Sequence, residues 1–438
     1  MLEPTFPSSG YGGSPADVSP VGGAAYEHPF LTRTLLPVTA LLFACFLQIG
    51  GYSVVSVGFV AFAFTICLLG VRSMILGAAM ALACAPLMLM NLFPFLGEGE
   101  TAGAFFRTGR ELFVLAVILA ASVFDRRWNF DKRRTDRLIL VCLVVLMLYT
   151  GLQFFSLKVL GEPGFFINWR MYGGISGVEG EAGHRLTTLP SYWMEFGALH
   201  GLELGESLRI RATAFYSEPS YLGLIVFALI FALTCHSEWH RGLLLPIGIG
   251  LLTTGMSETA SGSMSVLIYL GARYRRELVR YLPVLFITIG PVAFYMMADA
   301  IGRIASITSG SDEISGYIRL VKPFENIVDV FSEGFLFGVP PVFLDRFVAP
   351  TPFGAEFGLG TDTAVLNLII FYGLGGVVIL FLLWRVFTPL EFLFIILVGV
   401  FNGSLFGYDK GFVIGLAIAY ARAHASSPPR PDMSHQSA

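Results

Sequence analysis

The sequence predicts an all-α protein that crosses a membrane as a polytopic transmembrane helical bundle of about 12 spans with two long external loops. Three observations support this prediction. Of the 438 residues, 55% are hydrophobic and only 13% are charged, about half of the charged fraction of a typical soluble domain. The apolar residues form long runs, and about 18 apolar residues are enough to cross hydrocarbon as a helix. Basic residues gather in alternate short loops.

Hydropathy along the chain gives the order of the spans. The polar segment 257–263 separates two short apolar runs, which represent either two short helices or one long helix broken near its middle. We expect a transmembrane domain over residues 31–425, with 1–30 and 426–438 as disordered cytoplasmic tails. The predicted spans lie near 34–49, 53–71, 74–96, 111–124, 138–155, 219–235, 243–253, 263–272, 281–297, 363–384, 391–406 and 411–421.

The loops predict the orientation of the bundle. The loops 125–137 and 271–280 are rich in arginine and lysine, and such loops stay on the cytoplasmic side. With 12 spans or so, both termini are then cytoplasmic, and the long segments 158–217 and 298–362 face outward. Connections of this length usually carry function, so we expect any extracytoplasmic chemistry on these two loops.

Composition argues against several other kinds of site. The formal net charge is -3, which does not favour nucleic acid as a partner. Each of the five cysteines lies in an apolar run without a CxxC pattern, as expected of small buried hydrophobic side chains. The seven histidines show no ligand spacing. We therefore predict no metal site and no cofactor.

The first external loop ends in a group of charged residues beside a predicted helix start. Arg209 and Arg211 precede Ser217 and Glu218, and Pro219 follows. Proline favours the first helical turn, and serine is a good N-cap. Glu218 then lies in the positive field of the helix N-terminus. The group is either an Arg–Glu pair that caps the helix or an anion-binding and carboxylate site at the membrane face.

The second external loop ends in a similar way. Asp362 and Thr363 stand at the outer end of the span 363–384, where Asp362 is either a helix cap or a functional carboxylate.

The first external loop is also rich in aromatic side chains, which either stack on sugar rings or anchor the loop at the interface. These aromatic residues are Phe165, Phe166, Trp169, Tyr172, Tyr192, Trp193 and Phe196.

Together these patterns resemble the O-antigen polymerase and ligase family of bacterial envelope polysaccharide enzymes. The resemblance covers roughly residues 138–384 and includes the order, the spacing and the two external loops. The family's Gly-x-Gly after the second loop reads Gly338-Val339-Pro340 here, which is a departure from the pattern. The matching residues are Arg211, Phe215, Glu218, Pro219, Ser220, Gly223, Arg319, Phe335, Leu336, Phe337, Gly338, Asp362, Asn367, Tyr372 and Gly373.

The resemblance implies a polysaccharide polymerase. Such enzymes join oligosaccharide repeats carried on undecaprenyl diphosphate at the outer face of the inner membrane, without a metal, and work with a chain-length regulator and a flippase. Arg211 and Arg319 would stabilise the diphosphate leaving group, and Glu218 or Asp362 would be the base for the acceptor hydroxyl. Substrate contacts are expected from Arg209, Arg170, Trp169, Tyr216 and Asn367.

Two alternatives remain open at this point. Ligases of the same family carry an external histidine where this chain has Asp362, which favours the polymerase. A transporter would show broken helices and buried charges near the middle of the membrane. The segment around Glu258 suits a transporter, but the sequence shows no inverted repeat.

Overall fold

The computed structural model describes residues 69–124, 132–160, 212–214, 219–257, 259–277, 279, 321–349, 363–401 and 405–425. Within these ranges the regular elements are helices and no strand occurs, which agrees with the all-α prediction. The predicted span 34–49, most of 53–71 and the span 281–297 lie outside the described residues, as do both predicted tails. The total of about 12 spans therefore stays a prediction.

Ten α-helices make up the described part of the chain. A 3₁₀ turn, Met90–Phe95, continues the first of these helices, and a π-helical turn, Ser156–Leu160, follows the third. The helices are α1 Val71–Leu89, α2 Thr101–Ser122, α3 Lys132–Phe155, α4 Pro219–Thr234, α5 Leu244–Met256, α6 Ala260–Arg273, α7 Lys322–Ser332, α8 Ala364–Val386, α9 Pro389–Val398 and α10 Tyr408–Ala425.

Three of the described helical segments are long and apolar enough to cross a membrane. They are Val71–Phe95, Thr135–Phe155 and Ala364–Val386, with mean hydropathies of 2.0, 2.4 and 2.5. Large apolar side chains also lie on the outside of the bundle: Leu82 is 67% exposed and Leu148 is 58% exposed. Soluble proteins seldom expose apolar surface on this scale. These helices therefore indicate a membrane protein.

The polar segment between the two short runs separates two helices, α5 and α6. The Ser257 hydroxyl donates to the Thr254 carbonyl at 2.9 Å and lies 2.6 Å from the Thr259 hydroxyl. Ser263 donates to the Thr254 hydroxyl at 3.1 Å. Helix ends inside a bundle need such internal partners because hydrocarbon offers none. The two-helix alternative is therefore correct, and Glu258 itself lies outside the described residues.

At one end of the bundle, polar side chains join the ends of several helices. Glu391 is fully buried and holds Arg422 through both oxygens, at 2.6 and 2.7 Å. Arg422 also donates to the Ser122 carbonyl, and Arg273 donates to the carbonyls of Thr234 and Ser237. The ends of α2, α4, α6 and α10 thus meet the start of α9 here. These contacts agree with the alternating directions predicted for the spans, and we call this the basic end.

Candidate functional site

The other end of the bundle holds Asn367 and the described residues that adjoin three more of the predicted site residues in the chain, and we call it the site end. Only one predicted site residue, Asn367, is among the described residues. Three others directly adjoin described residues, since Ala212, Pro219 and Thr363 follow them in the chain. The predicted residues outside the described ranges are Arg211, Glu218, Asp362, Arg319, Arg209, Arg170, Trp169 and Tyr216.

A buried turn follows Arg211 and is attached to α3 by one side chain. The Gln153 carbonyl accepts the N–H groups of Thr213 and Ala214 at 2.9 and 2.8 Å, and its amide donates to the Ala214 carbonyl at 2.9 Å. Ala214 has a φ of 51°, a left-handed conformation that costs a non-glycine residue about 1–2 kcal/mol. Non-helical backbone in a bundle needs such partners, so Gln153 anchors the turn 212–214 to α3.

The helix after Glu218 begins at Pro219, as predicted, and packs closely against α6. A Cβ atom on Gly223 would lie 2.9 Å from the Thr259 methyl group, 3.0 Å from the Gly262 Cα and 3.3 Å from the Phe401 ring. Small residues allow this approach between helices in a membrane. Gly223 therefore allows the start of α4 to lie against the connection between α5 and α6.

The first turns of α8 form a buried stripe. Thr363 is the N-cap residue, so the helix begins one residue after the position expected if Asp362 were the cap. Thr363, Asn367 and Phe371 are all buried and are spaced four residues apart, which places them on one face. The Val365 N–H donates to the Gly399 carbonyl at 3.3 Å, beyond the last residue of α9. That helix ends at Val398, earlier than the predicted 406.

Two of the motif pieces, 30 or more residues apart, contact each other directly. Gly373 has non-helical backbone angles (φ 52°, ψ -127°) inside α8. Residues of the second loop bond the backbone groups at this break. The Leu374 N–H donates to the Leu336 carbonyl at 2.9 Å, and the Val339 N–H donates to the Ile370 carbonyl at 3.0 Å. The segment Phe335-Leu336-Phe337-Gly338 thus docks on Tyr372-Gly373.

Gly338 performs a role that requires glycine. Its φ is 77°, and a Cβ atom there would lie 2.5 Å from the Phe371 carbonyl carbon. Side chains rarely adopt this conformation, and here the space is also filled by backbone. Position 338 therefore needs a glycine, while the following Val339-Pro340 departs from the family pattern without disturbing the contact.

A polar cluster at the same break was not anticipated from the sequence. The predicted span begins at Glu111, but α2 begins at Thr101 and includes two arginines before that glutamate. Glu111 is 1% exposed. It accepts from Arg107 Nε at 3.1 Å and from the Tyr372 hydroxyl at 2.6 Å. Both oxygens of the Glu111 carboxylate have a partner, so this charged residue can lie inside the helix. Hydropathy alone assigns the charged residues before Glu111 to a loop.

Asn91 joins this cluster from the turn that continues α1. Its amide donates to the Phe371 carbonyl at 2.7 Å, and the residue is 1% exposed. The Phe371 carbonyl lies at the break in α8. There the Asn91 amide takes the place of the backbone N–H that would bond this carbonyl in a regular helix. An asparagine within an apolar stretch, 280 residues from its partner, gives no signal from which this contact can be predicted.

A buried lysine is a second residue that the sequence did not reveal. Lys410 is fully buried, and its ammonium donates to the Phe401 carbonyl at 2.7 Å. Phe401 in turn lies against Gly223, so a cation stands near the start of α4. An ionisable group inside a membrane bundle is a functional candidate by default. Hydropathy places Lys410 in a loop just before the last span.

Comparisons with known proteins add no assignment. No protein-family model matches the sequence, and no curated protein matches it. Within the described ranges there is also no group of three or more histidine, cysteine, aspartate or glutamate side chains that could hold a metal. A function for this protein therefore has to be inferred from the geometry of the site and from the sequence resemblance.

Proposed function

We propose that this protein is a polysaccharide polymerase that joins oligosaccharide repeat units carried on undecaprenyl diphosphate. The observation that carries the proposal is the convergence of motif pieces at one end of the bundle. The turn after Arg211, the start of α4 after Glu218 and the start of α8 after Asp362 all lie at the site end. Pieces that were separate in the sequence thus attach to one region.

The proposed reaction is a displacement at the anomeric carbon of the donor sugar. A carboxylate, Glu218 or Asp362, takes the proton of the acceptor hydroxyl. The acceptor oxygen forms the new glycosidic bond, and the bond from the anomeric carbon to the diphosphate oxygen breaks. Undecaprenyl diphosphate leaves with the bonding electron pair. Arg211 and Arg319 stabilise the charge that develops on it, as planar guanidinium groups suit phosphate oxygens.

The proposal places the site end outside the inner membrane and the basic end in the cytoplasm. Arginine-rich loops adjoin the helix ends at Arg273 and Ser122, in accord with the positive-inside rule. Cysteine labelling in intact cells tests this, in an active variant without native cysteines. We expect Gly177→Cys to react with an impermeant reagent and Asn129→Cys to react only after permeabilisation. The reverse result would contradict the orientation and the site.

A transporter is the second candidate, because of a specific observation. The helix α8 has a break at Gly373, and the described residues include buried charges at Lys410 and Glu111. Discontinuous helices with buried charges are typical of secondary transporters. The polymerase is favoured because Lys410, through Phe401, lies near the start of α4, the helix that follows Arg211 and Glu218 in the chain, and a transporter has no need of those two residues.

The deciding experiment uses purified full-length protein in lipid nanodiscs. It is incubated with an undecaprenyl-diphosphate oligosaccharide in the presence of EDTA, and the products are separated on a gel. We expect a ladder of longer chains on the lipid carrier. Movement of sugars to a different acceptor would indicate a ligase instead. Absence of any new glycosidic bond, with lipid flipping in proteoliposomes, would indicate a transporter.

A further inference from the structure

The Arg107 guanidinium pairs with a carboxylate through its Nε atom, which leaves its two terminal amino groups to be accounted for. Its Nε atom lies 3.1 Å from Glu111 Oε1, and the second oxygen of Glu111 accepts from the Tyr372 hydroxyl at 2.6 Å. The two terminal amino groups of Arg107 have no hydrogen bond or ion pair among the described residues, and the side chain is 37% exposed. The guanidinium is therefore oriented by its neighbours, and its terminal amino groups have no partner in the part of the chain that the structure describes.

Arg107 lies against the face of α8 that also carries Asn367. The Arg107 guanidinium stacks over the Phe371 ring, 5.4 Å from its centroid. Phe371 is the third member of the buried stripe Thr363, Asn367, Phe371, which starts next to Asp362. Residues four apart on a helix are about 5–6 Å from each other. Arg107 thus contacts the residue one helical turn after Asn367, a residue predicted to contact substrate.

We propose that Arg107 binds a phosphate group of the polyprenyl diphosphate carrier, with Glu111 and Tyr372 as positioning residues. This inference rests on the proposed function and adds a third arginine to it. Pairing with Glu111 cancels most of the net charge, so the recognition relies on directional hydrogen bonds from the planar fork. Lysine cannot hold Glu111 and present a fork at the same time, so Arg107→Lys should behave as a loss.

The competing explanation is purely structural. An arginine at a membrane boundary can pair with a carboxylate four residues on and direct its charge toward water. That role requires the Arg–Glu pair but no ligand. It predicts that substitution of Arg107 lowers thermal stability and leaves lipid affinity unchanged, which separates the two explanations experimentally.

The test measures binding of undecaprenyl diphosphate, without sugar, to the full-length protein in phosphatidylcholine nanodiscs by native mass spectrometry. We expect Arg107→Gln and Arg107→Lys each to raise the Kd about 10- to 100-fold, the range for charge-assisted hydrogen bonds. Tyr372→Phe should raise it about fivefold through Glu111. The matched control is Arg385→Gln, since Arg385 also stacks on an aromatic ring, Trp384, at 6.0 Å, and its Kd should not change.

Each outcome decides a specific point. Unchanged affinity in both Arg107 variants, with a lower Tm, would make the pair structural and overturn the inference. Equal competition by phosphatidylglycerol would show a general anionic headgroup site and would also overturn it. If the wild-type protein binds no undecaprenyl diphosphate, the proposed function itself fails. If Arg107→Gln does not fold, Arg107→Lys and Tyr372→Phe decide the result.

Discussion

Replacement of Gln153 by leucine tests the attachment of the turn that follows Arg211. Leucine keeps the side-chain volume but removes three hydrogen bonds to Thr213 and Ala214. At about 1 kcal/mol of net stability per bond, the turn loses about 3 kcal/mol, or about 100-fold in its closed population. Since α3 keeps its packing, we expect local loosening rather than global unfolding.

Hydrogen–deuterium exchange measured by mass spectrometry reads this loosening directly. The amides of Thr213 and Ala214 should exchange about 100-fold faster in Gln153→Leu, because the closed turn is that much less populated. Polymer formation by the same variant should be lower than in the wild-type protein. Thr150→Val is the matched control, because Thr150 is buried one turn earlier and bonds only the Leu146 carbonyl of its own helix. Unchanged exchange in Gln153→Leu would refute the claim that this side chain fixes the turn.

Three further substitutions test other parts of the account. Glu218→Gln should lower turnover about 100-fold or more if Glu218 is the base, and Asp362→Asn is the matched test. An active Glu218→Gln variant together with an inactive Asp362→Asn variant would assign the base to Asp362. Arg211→Lys should lose most polymerase activity in a gel assay although the net charge is kept, and full activity at a normal protein level would remove Arg211 from the leaving-group role. Gly338→Ala should lower the Tm more than Gly334→Ala, since both have positive φ but only Gly338 meets backbone; equal shifts would show that the docking contact is unimportant.

The sequence predicted the helices well wherever hydropathy alone decides their formation. The start of α4 at Pro219 and the end of α3 at Phe155 agree with the predicted spans. Apolar runs must be helical in a membrane because every backbone group needs an internal partner. The contact between Phe335–Gly338 and Tyr372–Gly373 was not predicted, although both pieces are among the residues that carry the sequence resemblance.

Features that depend on distant partners were not predictable. The start of α2 at Thr101 was missed because Arg107 and Glu111 look like a loop until Tyr372 is seen to complete their pairing. The break at Gly373 depends on hydrogen bonds from Leu336 and Val339, which no local pattern encodes. The same holds for Gln153, a single polar residue in an apolar run. Hydropathy averaged over a window hides such single residues, although each makes a hydrogen bond between segments that are distant in the sequence.

The proposed polymerase forms a glycosidic bond and releases the lipid diphosphate in the same step. The most direct measurement counts both products by liquid chromatography and mass spectrometry, with purified protein, one lipid-linked repeat and EDTA present. We predict equal amounts of new glycosidic bonds and free undecaprenyl diphosphate in the wild-type protein, and an equal fall of both products in whichever of Glu218→Gln and Asp362→Asn removes the base. Carrier that is moved or hydrolysed without a matching glycosidic bond would contradict the claim.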